Sequence, residues 1–189
     1  CENGQSFRGL AGDRGVGTFG GSEDHTAILN GRAGMLSLYQ YAPTVHKADL
    51  SWPAEHLLVV CFSGVRAEKT KAALERYNLA SRRARDATTA CNAAWGTGHA
   101  NLRGVLDHAE SHHGGRAMRA VEHALVDTPR ELRLAARVRQ FALEDRRYLP
   151  EAERALCRRD MRRFGQIVDL SHAASRRYLG NIVPQVDLL

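Results

Sequence analysis

Residues 35–41 (MLSLYQY) alternate apolar and polar positions with the period of a half-buried strand, and Pro43 ends the run. A second strand is predicted around residues 45–50. Residues 57–62 (LLVVCF), set off by Pro53, form a continuous apolar run rich in valine, the pattern of a strand buried on both faces. Together these predict a small mixed sheet. From Ala67 onward the texture changes to Ala, Arg, Glu and Leu, and the apolar period lengthens to that of helices. One helix is predicted over 67–87, with Leu74, Tyr77 and Ala84 near one face. A second covers 130–148, opening after Pro129 and carrying Leu134, Val138, Phe141 and Tyr148 on one stripe. A third covers 151–174 with Met161, Phe164, Val168 and Ser171. Between the first two, residues 88–116 read as a Gly/His-rich connection with one short helix. The expected class is α+β, with a boundary near residue 64: a sheet-bearing part over 1–64 and a mainly helical part over 65–189.

Upstream of the strands, residues 9–21 are dense in glycine, which neither a regular helix nor a strand tolerates. This predicts a loop whose backbone comes close to a ligand. Ser22 can cap a short helix running to about Asn30, with Glu23 and Asp24 in its first turn, where the helix dipole favours negative charge, and Gly31 as its stop.

Composition narrows the function classes. The chain has 189 residues, 43% of them hydrophobic, enough for one moderate domain or parts of two. Its net charge is +6, with arginines concentrated in RRAR (82–85) and RRDMRR (158–163). These alternate with Glu, Asp and Ala as on a solvated helix face, and no nucleic-acid motif accompanies them, so nucleic-acid binding is not expected. Cys1, Cys61, Cys91 and Cys157 are too dispersed for a metal knuckle or a disulfide framework, which fits reduced thiols in a cytoplasmic protein. No apolar run approaches the roughly 20 residues of a membrane span. The chain starts at Cys1 rather than Met and stops inside the apolar run of Val186, Leu188 and Leu189, which reads as a piece of a longer protein.

The strongest chemical signal is GVGTFGGSEDHTAIL, residues 15–29: a glycine loop, a carboxylate at a helix start, then an apolar helix. Phosphoryl transfer uses such parts, because backbone N–H groups and a helix N-terminus hold anionic oxygens while a carboxylate orients the attacking hydroxyl. It is not a P-loop, which needs GK[ST] after the glycines. From the residues alone, Asp24 serves equally well as a helix-stabilising acid. Elsewhere, His108, His112 and His113 with Glu110 have a spacing that puts two imidazoles one turn apart, but no third metal ligand is evident, so they read as solvent-exposed histidines. Ser171 and His172 are adjacent on a helix and point about 100° apart, which rules out a nucleophile–base pair.

GGSEDHTAIL resembles the galactokinase segment in which glycines precede an aspartate followed by Gln or His. SGVRAEKTKAALERYN (63–78) is similar to that family's Ser-x-Val-Arg strand end and following Tyr-Asn helix. DMRRFGQIVDLSHAASRRYLGNIVPQVDLL (160–189) is similar to its Phe-Gly, Ser-His and Pro-x-x-Asp-x-Leu stretch. The resemblance implies a two-lobed fold of the GHMP kinases (galactokinase, homoserine, mevalonate and phosphomevalonate kinases) with the site between the lobes. It implies transfer of the ATP γ-phosphoryl group to the anomeric hydroxyl of a hexose, most simply galactose, with ATP and Mg²⁺ required, by a cytoplasmic monomer. Carried onto this chain, Asp24 matches the catalytic aspartate and Arg66 a nearby arginine. Gly21 matches a backbone sugar contact, Tyr77 a tyrosine beside the sugar, and Glu2 the magnesium-binding glutamate. The family's amino-terminal sugar motif, serine-rich phosphate loop and carboxy-terminal glycine-rich motif are missing, so ATP-binding residues are not assigned and the piece is expected to be inactive by itself. Two alternatives remain: a catalytically silent galactokinase-like sugar sensor, and a GHMP kinase for another sugar such as arabinose or N-acetylgalactosamine.

Overall fold

The computed structural model describes residues 23–65 and 74–188. Along these residues the order is α1 (Glu23–Asn30), β1 (Met35–Gln40), β2 (Val45–Ser51), α2 (Leu74–Trp95), α3 (Leu102–His113), α4 (Ala117–Ala124), α5 (Leu134–Leu143), α6 (Leu149–Cys157) and α7 (Met161–Ala174). The class is α+β and mostly helical.

The two predicted strands, 35–41 and 45–50, are present and pair with each other. β1 and β2 form an antiparallel hairpin with Leu36 opposite Leu50, Leu38 opposite Ala48 and Tyr39 opposite His46, the register slipping by one residue after Leu38. The turn between them holds a cis Ala42–Pro43 bond, and the Trp52 amide donates to the Gly34 carbonyl at 2.8 Å to close the open end. The expectation of a mixed sheet is corrected: the sheet is two-stranded and purely antiparallel among the described residues. Residues 57–62 are not a buried strand. They form no regular element and are exposed, Val60 at 96% and Leu57 at 86%. A continuous apolar run signals capacity for burial, but a strand also needs a neighbour to take its backbone hydrogen bonds, and no described segment pairs with it.

The helical part also departs from the periodicity. α2 runs on past residue 87 to Trp95, through TTACNAAW (88–95), which the sequence leaves in a connection. Small residues let it approach its neighbours closely: Ala87 and Cys91 are wholly buried and Thr88 nearly so, in a core shared with Leu102, Val105 and Leu106 of α3, Val121 of α4, and Leu134 and Val138 of α5. Gly96, in the left-handed region at φ 64°, stops the helix. α3 is a full helix over residues assigned to that connection, its N-terminus capped by the Asn101 side chain, which accepts from the Gly104 amide at 3.1 Å.

Tyr148 and its stripe partners Leu134 and Val138 are buried as the 130–148 pattern predicts, although the segment divides into a 3-10 turn, α5 and a π-helical stretch at Glu144–Tyr148. The predicted 151–174 helix is two helices. Arg159 adopts φ 54°, and Asp160 caps α7 by accepting from the Arg163 amide at 2.9 Å. This break re-phases α7, so Ile167 is buried and the predicted Val168 is half exposed. Ile167 joins Tyr148, Ala155 and Ala174 in a second core, edged by Phe164 and Tyr178. Trp52, just past β2, meets Phe164 edge-on at 5.9 Å, docking the hairpin onto α7.

Candidate functional site

Asp24 stands in the first turn of α1 beside Glu23, both exposed, as the sequence predicts. The helix is closed at the other end by Gly31, whose amide donates to the Ala27 carbonyl at 2.9 Å. A Cβ at Gly31 would lie 2.8 Å from that carbonyl oxygen, which explains glycine here. α1 buries Thr26 and leaves Ile28 and Leu29 exposed. Tyr77 falls on the first turn of α2. Gly21, Arg66 and Glu2, together with Ser22, lie outside the described residues. Of the five predicted site residues, then, the described structure places Asp24 and Tyr77, on separate helices.

The resemblance brings Mg²⁺ through Glu2. Among the described residues no group of three or more His, Cys, Asp and Glu side chains has the arrangement of a metal site. No ligand set for the ion is therefore assigned, and no chemical step is derived through it.

A cavity lies elsewhere, between the hairpin tip and α2, α3 and α5, with a volume of about 590 Å³. Tyr39 and Tyr41 form one wall; Arg85, Thr88 and Asn92 of α2 form another; Arg103, Arg137 and Asp145 supply charge. Asp24 is not among its lining residues. Arg103 donates to Asp145 at 2.8 Å. Arg137 donates from Nε to the Ala80 carbonyl at 3.2 Å and from Nη1 to Gln140 Oε1 at 2.6 Å, with its guanidinium 5.8 Å from the Phe141 ring centre. Burial pushes the Arg137 guanidinium below the ordinary arginine range, yet its starting value is so high that it stays charged. These arginines are held in place by partners, so the cavity offers a fixed, polar and partly cationic wall rather than a free reactive group.

A smaller cleft of about 300 Å³ separates the apolar face of the hairpin, Leu36, Leu38 and Leu50, from Tyr148, Leu156 and Ile167. At its edge the Ser171 hydroxyl donates to Glu144 Oε1 at 2.7 Å, linking α7 to the π-helical stretch. The adjacent Ser171 and His172 form no catalytic pair: the serine is committed to Glu144.

This cavity is not legible in the sequence because its lining comes from segments far apart in the chain. Tyr39 and Tyr41 lie in MLSLYQY and Arg85 in RRAR, and nothing in their spacing says that they face one space.

No protein-family model matches this chain, and neither a curated protein nor a solved structure matches it significantly.

Proposed function

We propose that this chain belongs to an ATP-dependent hexose 1-kinase of the galactokinase type, with galactose as acceptor and Asp24 as the residue that receives the attacking hydroxyl. The reading includes a two-lobed GHMP-kinase-like arrangement and a cytoplasmic setting, and it rests on the resemblance of three segments in family order. The observation that supports it is the position of Asp24: exposed, in the first turn of a helix, shortly after a glycine-dense stretch of sequence. An exposed carboxylate there has room for a sugar hydroxyl.

In this mechanism Asp24 accepts a hydrogen bond from the anomeric hydroxyl and points its oxygen along the line of attack. Phosphoryl transfer passes through a loose transition state in most analyses, so the hydroxyl gives up its proton late and orientation counts for more than basicity. Arg66 supplies positive charge beside the carboxylate, and Gly21 and Tyr77 position the sugar. ATP and Mg²⁺ supply the phosphoryl group and its charge neutralisation.

The test is galactose-dependent ADP formation by the protein with whatever sequence flanks this chain, compared for wild type, Asp24→Asn and Asp24→Ala. Loss of an oriented general base is expected to lower kcat by about 10²- to 10⁴-fold. Helix stability should fall by only ~0.3–1 kcal/mol, the value of the dipole interaction. Undiminished turnover in both variants sinks the assignment.

A further inference from the structure

The junction between α2 and α3 concentrates histidine in a way that neither the kinase reading nor the core requires. α2 ends on Trp95, and residues 96–101 turn back towards α3. Asn92 holds this loop with both ends of its amide. Its Oδ1 accepts from the His99 amide and the Thr97 hydroxyl, and its Nδ2 donates to the His99 carbonyl, all at 2.9 Å. His99 is thereby pressed onto the first turn of α3, where a Cβ at Gly104 would come within 3.2 Å of the His99 Cβ. Its Nε2 is buried and has no hydrogen-bond partner.

The rings then form a stack. Trp95 lies on His108 at 5.0 Å between centroids with 22° between planes, and His108 lies on His112 at 4.0 Å with the same angle. His99 meets His108 at 5.0 Å, tilted, and His113 meets Trp95 at 6.4 Å. The His112 Nδ1 lies 2.9 Å from the His108 carbonyl and 3.0 Å from the Ser111 hydroxyl, which fixes the ring against its own helix.

The surrounding charges do little to neutralise the cluster. Residues 87–96 of α2 carry no charged side chain, and the loop supplies only His99. On α3, Asp107 and Glu110 are engaged by Arg146 and Arg103 by Asp145. The following 3-10 turn brings Arg116, and α4 brings Arg119, His123 and Glu122, the last paired with Arg139 of α5. Arg137 of α5 is held by Ala80 and Gln140. The charges that bear on His108 are those of His112, His99 and His113.

We propose that the Trp95, His108 and His112 stack is a proton-operated latch that acts through His99, the member of the cluster that lines the 590 Å³ cavity. When the rings take up protons, like charges only 4–5 Å apart repel, and the loop of residues 96–101 releases from α3. His99 and Asn101 line the cavity, so this release alters its rim. Partial burial, then the positive neighbours, hold His108 below the ordinary histidine value. Between that lowered value and about 6.5 the unfolded chain binds more protons than the folded one. The closed latch is therefore fully stable above about pH 6.5 and loosens as the pH falls through the folded value of His108.

The experiment is an NMR titration of the full chain from pH 8 to pH 5, following the histidine rings, the Trp95 indole and the backbone amides of residues 97–101. His108 is expected to titrate below 6.5, and the Trp95 and loop resonances are expected to move with the same midpoint. His108→Gln should abolish that linked movement while leaving the loop spectrum at pH 8 unchanged. Should this variant not fold, His112→Gln serves instead: removing one like charge at the exposed end of the stack should raise the His108 midpoint. An ordinary or elevated His108 midpoint overturns the latch, as do loop amides that ignore it.

Discussion

Asn92 is the residue whose removal tests the α2–α3 junction most directly. Its side chain makes three hydrogen bonds to residues 97 and 99, each 2.9 Å long and part-buried. A protein hydrogen bond contributes about 0.5–1.5 kcal/mol net, so the three together have an upper limit of about 4.5 kcal/mol. Water can reach part of this site and replace some of what is lost, which brings the expected cost of Asn92→Ala to about 2 kcal/mol. In a chain of this size that corresponds to a fall in Tm of roughly 4–8 °C. Asn92→Asp sharpens the test. It keeps the acceptor for the His99 amide and the Thr97 hydroxyl, but loses the donor to the His99 carbonyl and sets a carboxylate against it. The assay is urea unfolding followed by far-UV circular dichroism, comparing midpoints at equal m-values. A change below about 0.5 kcal/mol for the alanine variant, the size of an ordinary surface substitution, would refute the claim that Asn92 holds the loop.

Other outcomes follow from the same packing. Leu106 is 1% exposed in the core shared by α2, α3, α4 and α5, so Leu106→Ala is expected to cost about 3 kcal/mol in urea unfolding. Val60→Lys discriminates between the two readings of residues 57–62. An exposed segment predicts a stability change within about 0.5 kcal/mol and less self-association in analytical ultracentrifugation, whereas a buried strand predicts a large loss. Glu151 pairs with Arg163 and, at 3.2 Å, with Arg147. Hydrogen bonding to Arg163 is the main cause holding its carboxyl below the usual glutamate range, with Arg147 adding to it. Because the folded value is lowered, this contribution is present above about pH 4.3 and is lost as the pH falls through the folded value. Glu151→Gln should flatten that acid limb in urea midpoints measured between pH 3 and 6.

The parts of the fold legible in the sequence are those governed by near neighbours. The period-two alternation of residues 35–41 and the proline at 43 mark the first strand and its end, and a second strand is expected at 45–50, because each decision is local to the backbone. The acids at Glu23 and Asp24 and the glycine at Gly31 delimit α1 in the same way. Leu134 and Val138, four apart on one helix face, announce their burial.

Tertiary structure decided the rest, wherever one segment's state depends on another distant in the chain. The segment of residues 88–94 (TTACNAA) looks like a connection because it lacks large apolar residues. It is helix because small residues let α2 approach α3 and α5 closely, and the burial of Ala87 and Cys91 is a property of that contact. Residues 57–62 show the converse: six apolar residues carry the capacity to be buried, but only a neighbouring strand could use it. Arg159 and Asp160 sit inside a continuous helical pattern, and the break they make turns Ile167 inward in place of Val168. His99 and His108 are nine residues apart and read as loop and surface, yet Asn92 folds them into one stack with Trp95. Periodicity reports which face of an element is apolar. Which partner covers that face, and which side chains meet there, is settled only when the whole chain has packed.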